Sequence, residues 1–142
     1  MRFAATFAAA VLAAGLVSGA ARAEMKHFAA HLTAAQEVPP KDSKGTGELA
    51  ATLDTATKTL TYTLTYSGLT GPATAAHFHG PADPGKNAGV VVPIKPPESP
   101  AKGTATLTDD QIAQLEAGKW YVNVHTKANP GGEIRGQVQA GM

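Results

Sequence analysis

Two histidines one residue apart are the residues of this chain best placed to do chemistry. His77 and His79 flank Phe78 in the stretch Ala75-Ala-His-Phe-His-Gly-Pro81. In an extended strand successive side chains point to opposite faces. The two imidazoles therefore share one face, and Phe78 takes the other with Ala76. With Phe78 in a core, both rings look out to one patch of solvent. Two neutral imidazoles a pleat apart are half of a ligand set for copper or zinc. His125 lies in a second strand-like run, Lys119 to Thr126, where Trp120, Val122 and Val124 form one face and Tyr121, Asn123 and His125 the other. The apolar face turns inward, so His125 has the same outward parity as the pair. If the two strands are neighbours, His77, His79 and His125 converge on one ion. Three imidazoles with an open position suit copper first and zinc second. A hard cation such as calcium wants more carboxylates than this patch offers. In the last run Ile134, Gly136 and Val138 point in, leaving Glu133, Arg135 and Gln137 outside. Arg135 is read first as an edge-strand cation paired with Glu133 or a neighbouring carboxylate, although a fixed cation beside a metal can also steer a small anion.

Other constellations do not assemble. His27 and His31 share a face of the first strand but stand about 13 Å apart at the standard rise, too far for one ion, and are read as surface histidines. Met25 has a soft donor that copper accepts, but so close to the expected mature terminus it is read first as part of a flexible end. Ser43, Ser67 and Ser99 fall in turns, none on a strand-to-helix elbow. Asp109 and Asp110 are explained by the start of a helix. Glu37 can bond backbone amides at a strand end and is given no chemistry. The chain has no cysteine, which excludes thiolate metal sites, cysteine nucleophiles and disulfides alike.

The elements that must position these residues read as short strands. Met25 to Thr33 places Phe28, Ala30 and Leu32 on one face and ends before Val38-Pro-Pro40. Thr46 to Asp54 alternates Leu49, Ala51 and Leu53 with polar or small residues. Thr59 to Tyr66 is the clearest strand, with Leu60, Tyr62, Leu64 and Tyr66 alternating with threonines; a short turn makes it a hairpin with the strand before it. The His77/His79 strand starts near Ala73. Gly80 to Ala88 is a long irregular loop rich in Pro and Gly. Gly89 to Ile94 reads as a short buried strand, Lys95 to Pro100 as extended, and Lys102 to Leu107 as another strand. Thr108 to Ala117 is the one good helix, with Thr108 and Gln111 as a capping box, two aspartates in its first turn and Gly118 at its end. Lys119 to Thr126 and Glu133 to Gln139 are the last two strands. The fold class expected is all-β: an antiparallel Greek-key sandwich or barrel of about eight strands with one short helix.

Residues 1–23 read as a signal peptide. Met1-Arg2 is a short positive start, Phe3 to Val17 an Ala-rich apolar run too short for a membrane span, and Ala21-Arg22-Ala23 a small-x-small cleavage pattern. Residues 24–142 then form one domain, periplasmic or secreted, with no membrane span. Without Arg2 and Arg22 the 12 basic side chains fall below the 11 acidic ones, and no basic stripe remains to neutralise nucleic acid.

Three separated motifs, in order, are similar to the CHRD domain, the module named after chordin that also stands alone in exported bacterial proteins. They are Gln36-Glu-Val-Pro-Pro40, Ala76-His-Phe-His-Gly-Pro81, and Tyr121-Val-Asn-Val-His-Thr126 followed by Asn129-Pro-Gly-Gly-Glu-Ile-Arg-Gly-Gln137. The resemblance covers essentially all of residues 24–142. It implies an all-β domain and carries no settled activity. A more distant resemblance is to copper/zinc superoxide dismutases, whose copper sits outside a Greek-key barrel on outward histidines. It implies copper on His77, His79 and His125 and an anion-guiding role for Arg135. The bridging histidine and zinc ligands of that family have no counterparts in Gly80 to Ala88, and its disulfide cysteines are absent. Two functions are therefore weighed. One is an exported copper-binding protein, with redox activity at an open three-histidine site as its extension. The other is a metal-free structural module that binds another protein or a cell-envelope component through its threonine-rich faces and loops. Whether the chain is an enzyme is left open by the sequence.

Overall fold

The computed structural model describes residues 14–16 and 22–141. The expected signal, residues 1–23, lies mostly outside the described residues. Among those described, no helix is long and apolar enough to cross a membrane. The strands are β1 (Met25–Thr33), β2 (Thr46–Asp54), β3 (Thr59–Ser67), β4 (Ala73–His79), β5 (Val90–Ile94), β6 (Ala101–Thr106), β7 (Tyr121–Thr126), β8 (Ile134–Gln137) and the two-residue β9 (Gln139–Ala140). Among the described residues one helix, α1 (Asp109–Glu116), lies between β6 and β7, and one 3-10 turn spans Ala34–Gln36.

Strict alternation on β1, β2 and β3 puts their apolar residues on one face, and the three pair antiparallel in full register, with Leu49 opposite both Ala30 and Leu64. The complete order is β5-β4-β7-β8-β1-β2-β3-β6, with β9 on β1. This antiparallel sheet curls into a nearly closed barrel whose two edges, β5 and β6, face each other. Leu32, Leu53, Leu60, Leu64, Phe78, Trp120, Val122, Val124 and Ile134 fill it with no exposed surface. Each large side chain buried there contributes about 1.5–3 kcal/mol of transfer free energy, the main support available to a chain with no disulfide.

Helix α1 carries the chain from the β6 edge back to the middle of the sheet. Its capping box forms as read: Gln111 N–H donates to Thr108 Oγ1 at 3.2 Å and Thr108 N–H to Gln111 Oε1 at 3.0 Å. Leu115 is buried, and Trp120 donates its indole N–H to Gln114. The helix thereby sets where β7 begins, and β7 lies beside β4 with His77 opposite Asn123 and His79 opposite Tyr121. The adjacency that the three-histidine reading required is present.

Three elements differ from the sequence reading. β5 is not a buried strand. It is an edge, with Val90 half exposed and only Val92 and Ile94 turned in, and an edge also tolerates Pro93. The run Glu133 to Gln139 is not one strand but β8 and β9, broken at Val138. Val138 N–H bonds the Trp120 carbonyl while Gln139 moves on to pair with Ala29 of β1. The strand passes very close to β1 here: a Cβ on Gly136 would lie 2.5 Å from the His31 carbonyl oxygen. Finally, the outer face of β7 and β8 is not open to solvent. Residues 80–88 fold over it, and Tyr121, Asn123 and Arg135 are all buried.

Candidate metal centre

Parity delivers the three histidines to one patch. His77 stands opposite Asn123 across the β4–β7 ladder, and Ala75 stands opposite His125. Asn123 is therefore the hub of the patch, with His77 across from it, His125 two residues along its own strand, and His79 two residues beyond His77. Each histidine offers one ring nitrogen, and these nitrogens all lie within 4.8 Å of one another. Three such atoms fit within about 2.8 Å of a common centre, so contraction of less than about 1 Å reaches the 2.0–2.1 Å of a metal–imidazole bond. The closest pair is already at ligand spacing. His77 Nδ1 and His125 Nε2 are 3.1 Å apart, inside the roughly 2.9–3.4 Å separating two nitrogens that share an ion at right-angle to tetrahedral geometry. These three histidines could hold a metal ion.

Backbone carbonyls fix where the protons sit. His79 Nδ1 is 3.0 Å from the Ala88 carbonyl and His125 Nδ1 is 2.8 Å from the Pro130 carbonyl. A carbonyl only accepts, so each Nδ1 carries the hydrogen and the neutral ring keeps its lone pair on Nε2. Both Nε2 atoms then face the Asn123 side-chain oxygen, at 3.0 Å for His79 and 2.9 Å for His125. That oxygen is also an acceptor. His77 Nδ1, Asn123 Oδ1 and the two Nε2 atoms form a ring of lone pairs with at most one proton among them, the one His77 can place on its Nδ1. Ligand imidazoles whose far nitrogen donates to a carbonyl are the usual second shell of a metal site. Burial lowers the pKa of His77 and of His79, and the neighbouring histidines lower both further. Both rings stay neutral and able to ligate.

The covering loop was not foreseen, and it changes the place of Arg135. The arginine points outward from β8, but only 1 % of it is exposed. It does not pair with Glu133. Its guanidinium donates to the Asn87 side chain at 3.1 Å and to the Lys86 carbonyl at 2.7 Å, and lies 3.5 Å above the centre of the Tyr121 ring. Tyr121 in turn stacks on the imidazole of His79, with ring centres 4.7 Å apart and planes nearly parallel. Its hydroxyl accepts from Ala88 N–H and donates to the Ala88 carbonyl, the carbonyl that also receives His79. Gln137 donates to the carbonyls of Ala82 and Gly118, and Lys119 pairs with Asp83. The outward polar residues of β7 and β8 thus clamp residues 80–88, and the loop orients His79.

Two carboxylates given no chemistry in the sequence prove central. Glu133 is fully buried and joins three segments, through Ser43, Thr70 and Thr126. Glu37 is 4 % exposed. Its Oε1 lies beside Gly132 and Asn123 Nδ2: a Cβ on Gly132 would collide with Glu37 Oε1 and lie 2.7 Å from Asn123 Nδ2. The Asn123 amide reaches this carboxyl as a hydrogen-bond donor and opposes the rise of its pKa, although Oε1 lacks a partner in full hydrogen-bonding geometry. Burial pushes the Glu37 pKa up to about 7, against the opposing charge of Arg135. A raised folded pKa means the native state holds a proton that the unfolded chain releases. The resulting stabilisation is complete below pH 4.5 and is lost as the pH rises through about 7. Glu37→Gln is expected to flatten that decline. Above pH 7 it should make the protein more stable than wild type by up to roughly 3 kcal/mol, measured as the urea midpoint against pH.

His27 and His31 stay apart from the centre. Both are on the exposed side of β1, His27 against Thr52 and His31 against Glu48. Met25 is half exposed on the same strand. The CHRD domain family model matches residues 28–138. No curated protein and no solved structure matches the chain.

Proposed function

The chain belongs to the CHRD domain family, and on that footing we propose that it is an exported metal-binding protein whose His77, His79 and His125 hold one copper ion. The observation that carries the reading is the cluster of lone pairs around Asn123 Oδ1, with the protons of His79 and His125 drawn away by the Ala88 and Pro130 carbonyls. Acceptors gathered without donors are what a cation satisfies. Copper ranks first because the nitrogen donors are all imidazoles and divalent copper heads the affinity order for such sites; zinc ranks second. The proposal of export rests on the signal-like residues 1–23, and the periplasm or the outside of the cell is where such a signal would deliver the protein. The reading does not extend to superoxide turnover, because the arginine that would guide the anion is buried and bonded to the covering loop.

The test is a competition titration of the purified protein with Cu(II), Cu(I) and Zn(II) against chelators of known affinity. One ion per chain, with Cu(II) held more tightly than Zn(II), is expected. Acidification should release it only well below the ordinary imidazole range, since burial lowers the pKa of His77 and His79. Uptake no greater than that of a variant lacking all three histidines would leave the metal-free binding module as the function.

A further inference from the structure

Asn123 occupies the middle of the patch, and its side chain has a definite polarity. Oδ1 faces the Nε2 atoms of His79 and His125 at 3.0 and 2.9 Å. Nδ2 faces the Glu37 side, where Oε1 and Nδ2 crowd the same space beside Gly132. An amide nitrogen needs an acceptor, and the Glu37 carboxyl is the acceptor in reach. Gly132 leaves room for the two to meet: its φ is +122° and it has no side chain. The opposite orientation would give both imidazoles a donor but, with Glu37 ionised, would set Oδ1 against a carboxylate oxygen that only accepts.

We propose that Asn123 Oδ1 is a fourth ligand, so that the ion is bound by three imidazole nitrogens and one carboxamide oxygen, and that Glu37 is the positioning residue that keeps the oxygen turned inward. This rests on the metal reading above and narrows it. Three of the spacings already match shared coordination: 3.1 Å from His77 Nδ1 to His125 Nε2, 2.9 Å on to Oδ1 and 3.0 Å on to His79 Nε2; the wider histidine spacings, within 4.8 Å, need contraction onto the ion. Adjacent ligands of one ion at 2.0–2.1 Å are separated by about 3 Å. The consequence is functional. Four protein donors close the coordination shell, as in structural sites, whereas a catalytic ion keeps a position for water or substrate. A closed shell retains its ion. The centre therefore suits holding, carrying or fold-stabilising a metal rather than turning over a substrate.

The experiment uses Co(II) as a spectroscopic probe, with Cu(II) affinity measured in parallel, on the full chain, on Asn123→Ala and on Asn123→Asp. Wild type should bind one Co(II) with the intense visible absorption of a four-coordinate tetrahedral ion. Asn123→Ala should keep one ion per chain but bind it at least about 10-fold more weakly, with altered visible bands. Asn123→Asp is the same size, so it serves if the alanine variant fails to fold. As a ligand, its anionic oxygen should bind Cu(II) more tightly than wild type does. Repeating it in a Glu37→Gln background removes repulsion between two carboxylates. If Asn123 only donates hydrogen bonds to the imidazoles, the aspartate has lost the donor and Asn123→Asp will bind more weakly than wild type, which overturns the proposal. Affinities and spectra unchanged in both variants overturn it too. In either case, loss of the metal in His125→Ala would leave the three-histidine reading standing. A wild type that takes up no metal would remove both.

Discussion

Alanine at position 125 is expected to lower the affinity for copper or zinc by more than about 100-fold, beyond the 10–100-fold that outer-shell changes cost. His125 is the histidine whose geometry is most fully fixed. Pro130 holds its Nδ1 at 2.8 Å, and its Nε2 lies 3.1 Å from His77 and 2.9 Å from Asn123. No neighbour can replace it, because β7 offers only Asn123 and Tyr121 on that face. His77→Ala and His79→Ala should have losses of the same order. His79→Ala should also loosen residues 80–88, since it removes the imidazole stacked on Tyr121 and bonded to Ala88. His27→Ala and His31→Ala are the controls. Both residues are exposed on β1, and neither change should move the affinity. Competition titration gives the numbers, and circular dichroism shows whether each variant keeps its sheet.

The largest effect on stability is expected from Glu133→Ala, a loss of about 3–5 kcal/mol, the range for uncovering a buried charged network. The Glu133 carboxylate accepts from Ser43 at 2.9 Å, from Thr70 N–H at 3.0 Å, from Thr126 at 2.8 Å, from Asn129 at 3.0 Å, and from the Thr70 hydroxyl. Burial alone would raise its pKa, but these donors outweigh burial and hold it down to about 2. Removing the carboxylate leaves buried Thr126 and the partly buried bonds of Ser43, Thr70 and Asn129 without their acceptor. A lowered folded pKa gives stability that is present above pH 4.5 and lost as the pH falls toward 2. The acid limb of the wild-type stability curve should therefore be weaker in Glu133→Ala. Asn129 and Thr126 begin the turn that presents the Pro130 carbonyl to His125, so metal affinity should fall with stability. Urea denaturation across the acid range measures the first effect and titration the second.

Much of the fold was legible because strand parity is a local property. The alternation in Thr59 to Thr65 and the inward set Trp120, Val122 and Val124 need no knowledge of neighbours, and all were found as read. Thr108 and Gln111 marked the helix start for the same reason. The three histidines were readable from parity too, given that β4 and β7 are adjacent, and adjacency is a long-range fact that no local pattern contains. Burial of the outer face was not readable. Residues 80–88 look like an open Pro/Gly loop in sequence, and only their hydrogen bonds to Arg135, Gln137 and Tyr121 make them a cover. The same limit hid Glu37 and Glu133, whose roles depend on partners across the fold. A signal was available for Glu133 alone: an acidic residue closing a turn that holds Thr126 and Asn129, where several donors can gather on one carboxylate.

The central claim is that one ion sits on the outer face of β4 and β7 between His77, His79 and His125. Anomalous diffraction from crystals of the copper-loaded protein, with data collected on either side of the copper absorption edge, tests it directly. The account predicts one strong peak per chain, within about 2.0–2.2 Å of a nitrogen from each of the three histidines, with the Asn123 oxygen turned toward it. No peak there, or a peak instead at an exposed pair such as His31 and Glu48, would contradict it.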